Sequence, residues 1–177
     1  MERLAAGLER TIDRISTWLA QLAVVSTLLL TAVVTYSVLM RFVFNSSQSW
    51  ADELASYCLL WMVFLGLTHA LYQGVHIRID FVTAALGPHA RRVVEASIWA
   101  IGSVFGVLLF FGCLSELNNF INRGTYSTEG LDIPLVWPAV PMLLGAGLFA
   151  LAFMVRFLRL VLTGITPDMK RGGEGYL

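Results

Sequence analysis

Four long apolar runs dominate the sequence, at residues 18–40, 54–72, 93–114 and 136–162. A helix needs about 20 apolar residues to cross roughly 30 Å of hydrocarbon, so each run is long enough to span a membrane. Charged residues make up only 14% of the chain, whereas a soluble domain carries about 25%. This deficit excludes a soluble globular domain, a disordered chain and a nucleic-acid-binding protein with a basic surface. The sequence predicts an all-α integral membrane protein with four transmembrane helices.

The four crossings are expected to form a single membrane domain over residues 1–177. We predict transmembrane helices at about 18–40, 50–72, 92–117 and 136–162, followed by a cytoplasmic tail at 163–177. Ten of the twelve Lys and Arg residues fall on the side that holds both termini and the middle loop, and only Arg41 and Arg123 fall on the other side. Because positive charge is retained in the cytoplasm, both termini are predicted to lie inside.

Two shorter helices are predicted on the cytoplasmic side. Before the first crossing, apolar side chains recur at positions 4, 8, 12 and 15, and charged residues occupy the other faces. This pattern indicates an amphipathic N-terminal helix on the membrane surface or, alternatively, a solvated helical extension of the first crossing. Between the second and third crossings, Asp80 can begin a short interfacial helix that Gly87-Pro88 would end.

Two adjacent carboxylates begin the second crossing on the outer side. Ser49 and Asp52 have the spacing of a helix capping box, and carboxylates in a first helical turn are favoured by the helix dipole. Trp50 suits the level of the lipid headgroups. Asp52 and Glu53 are therefore interpreted either as helix caps and interface anchors, with Arg41 as a candidate ion-pair partner, or as contacts to a partner protein.

The middle of each crossing lacks the groups that a carrier or an enzyme would need. The central thirds of the four runs contain no Asp, Glu, Lys or Arg. A carrier normally keeps ion or substrate groups near the midplane, where an ionised side chain costs at least about 2.5–3.5 kcal/mol. The sequence also contains no Ser/His/Asp, HExxH, P-loop or GxGxxG arrangement. We therefore predict a chain that is not an enzyme, with no catalytic, substrate or metal site.

A redox role is the alternative function considered for this chain. His69 is the histidine that lies inside a run, and bis-imidazole haem would need a second histidine facing it from another helix. A membrane anchor subunit that carries haem or quinone stays as the alternative, although no cofactor is expected. Cys58 and Cys113 both lie in apolar runs, where buried free thiols are the usual state.

Small residues recur every four positions within the crossings. Gly102 and Gly106 lie in the third run, Gly66 and Ala70 in the second, and Ala146 and Ala150 in the fourth. Small side chains let helix backbones approach closely in lipid. These positions are interpreted as packing within the chain, with two alternatives left open. One is contact with another membrane subunit, and the other is a small exporter that dimerises through Gly102 and Gly106.

The order of several short motifs resembles one known family. Arg41-Phe-Val-Phe-Asn45 closes the first crossing, and Ser49-Trp-Ala-Asp-Glu53 opens the second. Trp61-Met-Val-Phe-Leu-Gly66 and His76-Ile-Arg-Ile-Asp80 follow, and Leu131-Asp-Ile-Pro134, Trp137 and Pro141 open the fourth crossing. Over roughly residues 15–165 this pattern is similar to the small, Q-type (DctQ-like) membrane subunit of tripartite ATP-independent periplasmic (TRAP) transporters. Asp52 stands where Glu is commoner in the family.

The resemblance implies a role as a non-catalytic subunit of a sodium-coupled transporter that imports an organic acid. Such a subunit lies in the bacterial inner membrane and braces the scaffold of a large multi-spanning subunit, which carries the sodium and substrate sites. It is also expected to help dock a periplasmic solute-binding protein, for which the outer loop at 125–137 is the candidate. The expected assembly residues are Arg41, Trp50, Asp52, Glu53, Trp61, His76, Asp80 and Trp137, and the expected helix-packing residues are Gly66, Gly102 and Gly106.

Overall fold

The computed structural model describes residues 2–73, 88–127 and 130–163. These residues form four helices: α1 (Glu2–Val43), α2 (Ser49–Tyr72), α3 (Pro88–Arg123) and α4 (Val136–Thr163). Each helix is long and apolar enough to cross a membrane. The described residues contain no strand, only an isolated bridge between Tyr126 and Pro134. The prediction of an all-α membrane protein with four transmembrane helices is confirmed.

Several predictions fall outside the described residues. The short interfacial helix, with His76 and Asp80, belongs to residues 74–87, and most of the predicted tail lies beyond residue 163. The direction in which the protein crosses the membrane also stays a prediction, because the helices alone do not distinguish the two sides. "Outer" and "inner" denote below the sides that the charge distribution predicts.

Helix α1 is much longer than a membrane crossing requires. Its 42 residues extend over about 63 Å at 1.5 Å per residue, roughly twice the thickness of the hydrocarbon. The predicted N-terminal helix is the first part of α1, and the chain continues without a break into the first crossing. Of its apolar face, Ile12 is buried, whereas Leu8 and Ile15 are exposed. The alternative of a helical extension therefore describes this segment better than a separate helix on the membrane surface.

The start of α2 differs from the predicted capping box. The residue before the helix is Gln48, in an extended conformation, and no side chain caps the first turn. The Gln48 amide is used locally instead, since its Nε2 donates to the Ser46 hydroxyl at 3.0 Å and its Oε1 accepts from the Trp50 indole at 2.9 Å. Ser49 lies inside the helix, so its hydroxyl is not in the cap position. The capping-box prediction is wrong.

Helices α2 and α4 run in the same direction, and both α1 and α3 run against them. Trp61 lies beside Pro138 and Leu71 beside Arg156, so both helices descend together from the outer to the inner side. Helix α1 packs along α2 and touches α4 less extensively, and α3 packs along α4. In an apolar stretch of 18 residues in each helix, 44% of the residues are buried in α4, against 17% in α1 and in α3. Helix α4 is therefore the centre of an open arrangement whose edges are α1 and α3.

The apolar core lies toward the inner side of this arrangement. The α4 ring of Phe153 packs against Trp99 of α3, with 5.6 Å between centroids, and against Phe149 one turn earlier, at 4.8 Å. Aromatic pairs at such distances pack edge to face or tilted and add to the energy of burial. The buried members of this core are Ile12, Leu71, Tyr72, Trp99, Phe149, Ala152, Phe153 and Leu160.

Small residues lie where the helix backbones approach most closely. A methyl group added at Gly106 would lie 2.9 Å from the Ala150 Cα, and one at Gly102 would collide with the Phe153 ring. A methyl group at Gly66 would make an ordinary contact of 3.9 Å with the Ala23 Cβ. Gly145, which the sequence did not single out, lies directly against the backbone carbonyl of Phe64. The faces of Gly102 and Gly106 are therefore occupied by α4 of the same chain and are not free for a dimer.

The close approach of α3 and α4 predicts unequal effects of substitution at two glycines of α3. Gly106→Leu should lower the free energy of unfolding by about 1–3 kcal/mol, because the added side chain forces the α4 backbone away. Gly112, on the same helix, has no atom within 4 Å of an added methyl group. Gly112→Leu should therefore change the stability by less than about 0.5 kcal/mol. Unfolding in mixed micelles measures both, and equal losses would contradict this packing.

Candidate functional site

Asp, Glu, Lys and Arg are absent from the middle of the crossings, and two charged side chains are buried near the ends. Residues 18–40, 54–72, 96–115 and 139–155 contain no Asp, Glu, Lys or Arg. Among the described residues, the buried charged side chains are Glu53, 5% exposed, and Arg156, 3% exposed. Glu53 is in the first turns of α2 and Arg156 is near the end of α4. The polar chemistry of the protein is therefore concentrated at its outer and inner ends.

The outer polar cluster consists of Glu53, Tyr57, Ser127 and Leu131. The Glu53 carboxylate accepts a hydrogen bond from the Tyr57 hydroxyl through Oε1, and another from the Leu131 amide through Oε2 at 3.3 Å. The buried Ser127 hydroxyl lies beside the same carboxylate. A buried carboxylate is tolerated when donors surround it, and hydrogen bonds to a charged group are the stronger kind. Glu53 therefore joins α2 to a loop that lies 78 residues further along the chain.

The segment between α3 and α4, residues 124–135, is called the outer loop from here on. The two ends of this loop are paired. The Ser127 amide donates to the Ile133 carbonyl at 2.9 Å, and the Leu135 amide donates to the Thr125 carbonyl at 3.1 Å. Gly130 has a φ of +126°, and a methyl group there would lie 3.2 Å from the Ser49 hydroxyl. Only glycine adopts this conformation without strain in so little space. The described part of the loop is thus folded against the start of α2.

Asp52 and Glu53, which were interpreted together from the sequence, have different surroundings in the structure. Glu53 is buried in the outer polar cluster, whereas the Asp52 side chain is exposed. Arg41 is also exposed. In the described part of the chain, Arg41 forms no ion pair with Asp52 or Glu53, so the expected pairing is not present. The cause is the helical register, which turns residue 53 toward α4 and the outer loop and leaves residue 52 facing away from them.

The three tryptophans predicted as assembly residues have different surroundings. Trp50 is half-buried, and its ring lies 5.9 Å from that of Tyr36 on α1. The Trp61 indole donates a hydrogen bond to the Pro138 carbonyl of α4 at 3.0 Å. Trp137 is 70% exposed at the start of α4. Two of these side chains therefore connect helices of this chain, and Trp137 is available to lipid or to another protein.

The inner polar cluster, which the sequence did not predict, consists of Glu9, Tyr72, Trp99, Arg156 and Arg159. The Arg156 guanidinium lies 4.1 Å from the centroid of the Tyr72 ring and 5.2 Å from that of Trp99. It also donates to the Leu71 carbonyl at 3.4 Å. Arg159 forms an ion pair with Glu9 of α1. This cluster joins the N-terminal part of α1 to the inner ends of the other three helices.

The spacing of four charged residues in the sequence is consistent with the inner polar cluster. Arg156 and Arg159 are three residues apart on one helix, and Glu9 and Asp13 are four residues apart on another. Such spacings place each pair on one helix face, and the two pairs carry opposite charges on the same predicted side of the membrane. Asp13 also acts electrostatically on Arg156. The pairing itself spans 150 residues and could not be assigned from local patterns.

His69, on which the redox alternative rests, contacts a residue of its own helix. The His69 imidazole lies 3.3 Å from the side-chain amide of Gln73, one turn further along α2. Among the residues that the structure describes, no three His, Cys, Asp or Glu side chains come together as a metal site would require. Cys58 and Cys113 are buried and free.

These features define a small multi-pass, all-α membrane protein whose described helices have no Asp, Glu, Lys or Arg in their middle parts. The sequence model of the DctQ component of tripartite ATP-independent periplasmic transporters matches residues 30–163, and the chain belongs to this family. The resemblance seen in the sequence motifs is thereby confirmed. The prediction that the chain is not an enzyme is also confirmed, because the family is a component of transporters.

The chain is similar to a curated protein of Vibrio cholerae serotype O1 (strain ATCC 39315 / El Tor Inaba N16961). That protein is a C4-dicarboxylate TRAP transporter small permease protein, DctQ, and it is 27% identical to this chain over 99 residues. The matched region covers 55% of this chain and 43% of the relative, so less than half of the relative's length is compared. No solved structure matches the chain.

Because the Trp61 indole donates a hydrogen bond to the Pro138 carbonyl, removing this N–H alone should lower the stability of the protein. Trp61→Phe retains an aromatic ring but removes the donor, and it should cost about 0.5–1.5 kcal/mol. Trp137→Phe is the matched control, because this tryptophan is 70% exposed, and it should cost less than about 0.5 kcal/mol. Thermal unfolding in detergent measures both variants. An unchanged midpoint for Trp61→Phe would contradict the contact between α2 and α4.

Proposed function

We propose that this chain is the small membrane subunit of a sodium-coupled TRAP transporter that imports an organic acid across a bacterial inner membrane. In this proposal it binds a large multi-spanning subunit, which carries the sodium and substrate sites, and braces its scaffold. The observation that carries the proposal is the absence of Asp, Glu, Lys and Arg from residues 18–40, 54–72, 96–115 and 139–155. A path for ions or organic anions through this chain would need such groups near the midplane.

The arrangement of the helices supports a bracing role. The two buried charged residues connect elements of the chain at opposite ends, Glu53 on the outer side and Arg156 on the inner side. Breaking either contact would leave a charge without its partners in a poorly hydrated place, which is costly. These contacts connect α2, α3 and α4 to one another at both ends, as a stationary support for a moving neighbour requires.

The edges of the arrangement offer the surface for this partner. In the isolated chain, 17% of the residues in the apolar part of α1, and the same share in α3, are buried. Exposed apolar patches larger than a few hundred Å² are typical of interaction surfaces in soluble proteins, but in a membrane lipid can cover them as well. In the assembled transporter, the large subunit and the lipid bilayer would therefore cover these edges together.

The proposed substrate class rests on the resemblance of the sequence motifs and on the name of one relative. The similar protein of Vibrio cholerae is named for C4-dicarboxylates, and we propose an organic acid as the substrate here. A periplasmic solute-binding protein would deliver this acid to the outer side, where the outer loop is the proposed docking region. Sodium and substrate would be bound by the large subunit, so this chain is proposed to hold no cofactor or metal.

Reconstitution in proteoliposomes tests the proposed function. The chain is co-expressed with the large subunit from the same source, and both are expected to purify as one complex. Uptake of the organic acid should need the complex, the binding protein and an inward sodium gradient together. Vesicles that contain this chain alone are the control and should show no sodium-driven flux. Recovery of the chain only as a monomer or self-oligomer, with uptake unchanged when it is omitted, would contradict the proposal.

A further inference from the structure

We infer that Glu53 is a positioning residue that holds the outer loop in the form in which it docks the periplasmic binding protein. The docking surface consists of Tyr126, Asp132 and Trp137, which the loop and the start of α4 expose. This inference rests on the proposed function, because it names the contact through which that function would receive its substrate. It also assigns different roles to Glu53 and to its neighbour Asp52.

The Glu53 carboxylate is not itself available to a partner protein. It is 5% exposed, and its two oxygens accept hydrogen bonds from Tyr57 on its own helix and from the backbone of Leu131 in the outer loop. A carboxylate that contacted the binding protein directly would need a free oxygen at the surface. Glu53 therefore acts through the loop.

Glu53 accepts a hydrogen bond from the backbone amide of Leu131. This contact therefore fixes the path of the loop rather than one side chain. The Leu131 amide is adjacent to Gly130, which packs against Ser49 and the Trp50 amide at the start of α2. Together with the paired ends of the loop, these contacts hold the described part of the loop in one conformation. A preformed surface binds more tightly than a mobile one, because less conformational entropy is lost on docking.

The surface that this loop presents has the composition of a protein contact. Tyr126 is 58% exposed and Trp137 is 70% exposed, and tyrosine and tryptophan are the residues most enriched at the energetic centres of interfaces. The exposed Asp132 has a left-handed backbone, with a φ of +47°, and it lies between them in sequence. This combination fits a partner that offers an apolar hollow beside a hydrogen-bond donor or a cation.

The position of the loop favours a soluble protein over lipid as its occupant. Gly106 lies opposite Ala150, and α3 and α4 run in opposite directions, so Pro138 is level with about residue 118 of α3. The first residue of α4, Val136, is then level with about residue 120, and α3 continues to Arg123, which is about 4.5 Å further outward at 1.5 Å per residue. The loop thus begins beyond the outer end of α4, on the side from which a periplasmic protein would approach.

The test uses the complete complex of small and large subunits with the purified binding protein. A photo-crosslinking amino acid is placed at position 126, and the variant Glu53→Gln is compared with the unsubstituted chain. Glu116→Gln is the matched control, because Glu116 is an exposed carboxylate on α3 outside the outer polar cluster. We measure the yield of cross-linking to the binding protein, and the concentration of binding protein that gives half-maximal uptake.

The inference predicts that Glu53→Gln raises this concentration about tenfold, as expected when one charged hydrogen-bond acceptor is lost. Cross-linking from position 126 should fall in parallel, and both quantities are compared in complexes that have assembled. Glu116→Gln should change neither quantity. If Glu53→Gln does not assemble, Tyr57→Phe removes one donor to the same carboxylate and is expected to give a smaller change in the same direction.

Three results would overturn the inference. The first is unaltered docking in an assembled Glu53→Gln or Tyr57→Phe complex. The second is a loss of thermal stability in these variants with unaltered docking, which would show a purely structural role. The third is cross-linking from position 126 to lipid, and not to the binding protein, in a complex that transports normally. Uptake that does not need this chain at all is a separate outcome, which would refute the proposed function itself.

Discussion

The hydrocarbon of the membrane offers no hydrogen-bond partners, and this constraint governs where the charged side chains of the described helices lie. Within α1, the hydroxyl groups of Thr27, Thr31 and Thr35 each donate to the carbonyl four residues earlier, at 2.7–2.9 Å. They are thereby satisfied within their own helix and can face lipid. Charged side chains cannot be satisfied in this way, and the chain keeps them at the ends of its crossings.

The two buried charged residues connect elements of the chain at opposite ends of the protein. On the outer side, Glu53 holds a loop that connects α3 to α4, and on the inner side, Arg156 lies between aromatic rings of α2 and α3. Arg159 adds an ion pair to Glu9, which ties the N-terminal part of α1 to the same end. The middle of the protein is then left to apolar packing and to glycines that allow close approach. In the described helices, Asp, Glu, Lys and Arg are thus confined to the two ends.

Those features that depend on local sequence could be predicted, and those that depend on distant pairs could not. The four crossings follow from the length of the apolar runs, and the family follows from short motifs in order. The role of Glu53 depends on Leu131, 78 residues away, so its sequence neighbourhood suggested only a helix cap or a partner contact. Gly145 was missed because its use depends on the Phe64 backbone of another helix. The continuity of α1 was left open, because the same charged pattern suits a surface helix and an extension.

The central claim is that this chain stays stationary while a larger partner moves the substrate. Spin labels at Val25 on α1 and Leu108 on α3, both exposed, would report the distance between the two edges within the assembled transporter. Pulsed electron paramagnetic resonance gives this distance in the sodium-free, sodium-bound and substrate-bound states. The account predicts one distribution with the same maximum in all three states. A shift of several ångströms between states would show that the chain takes part in the movement, and would contradict the account.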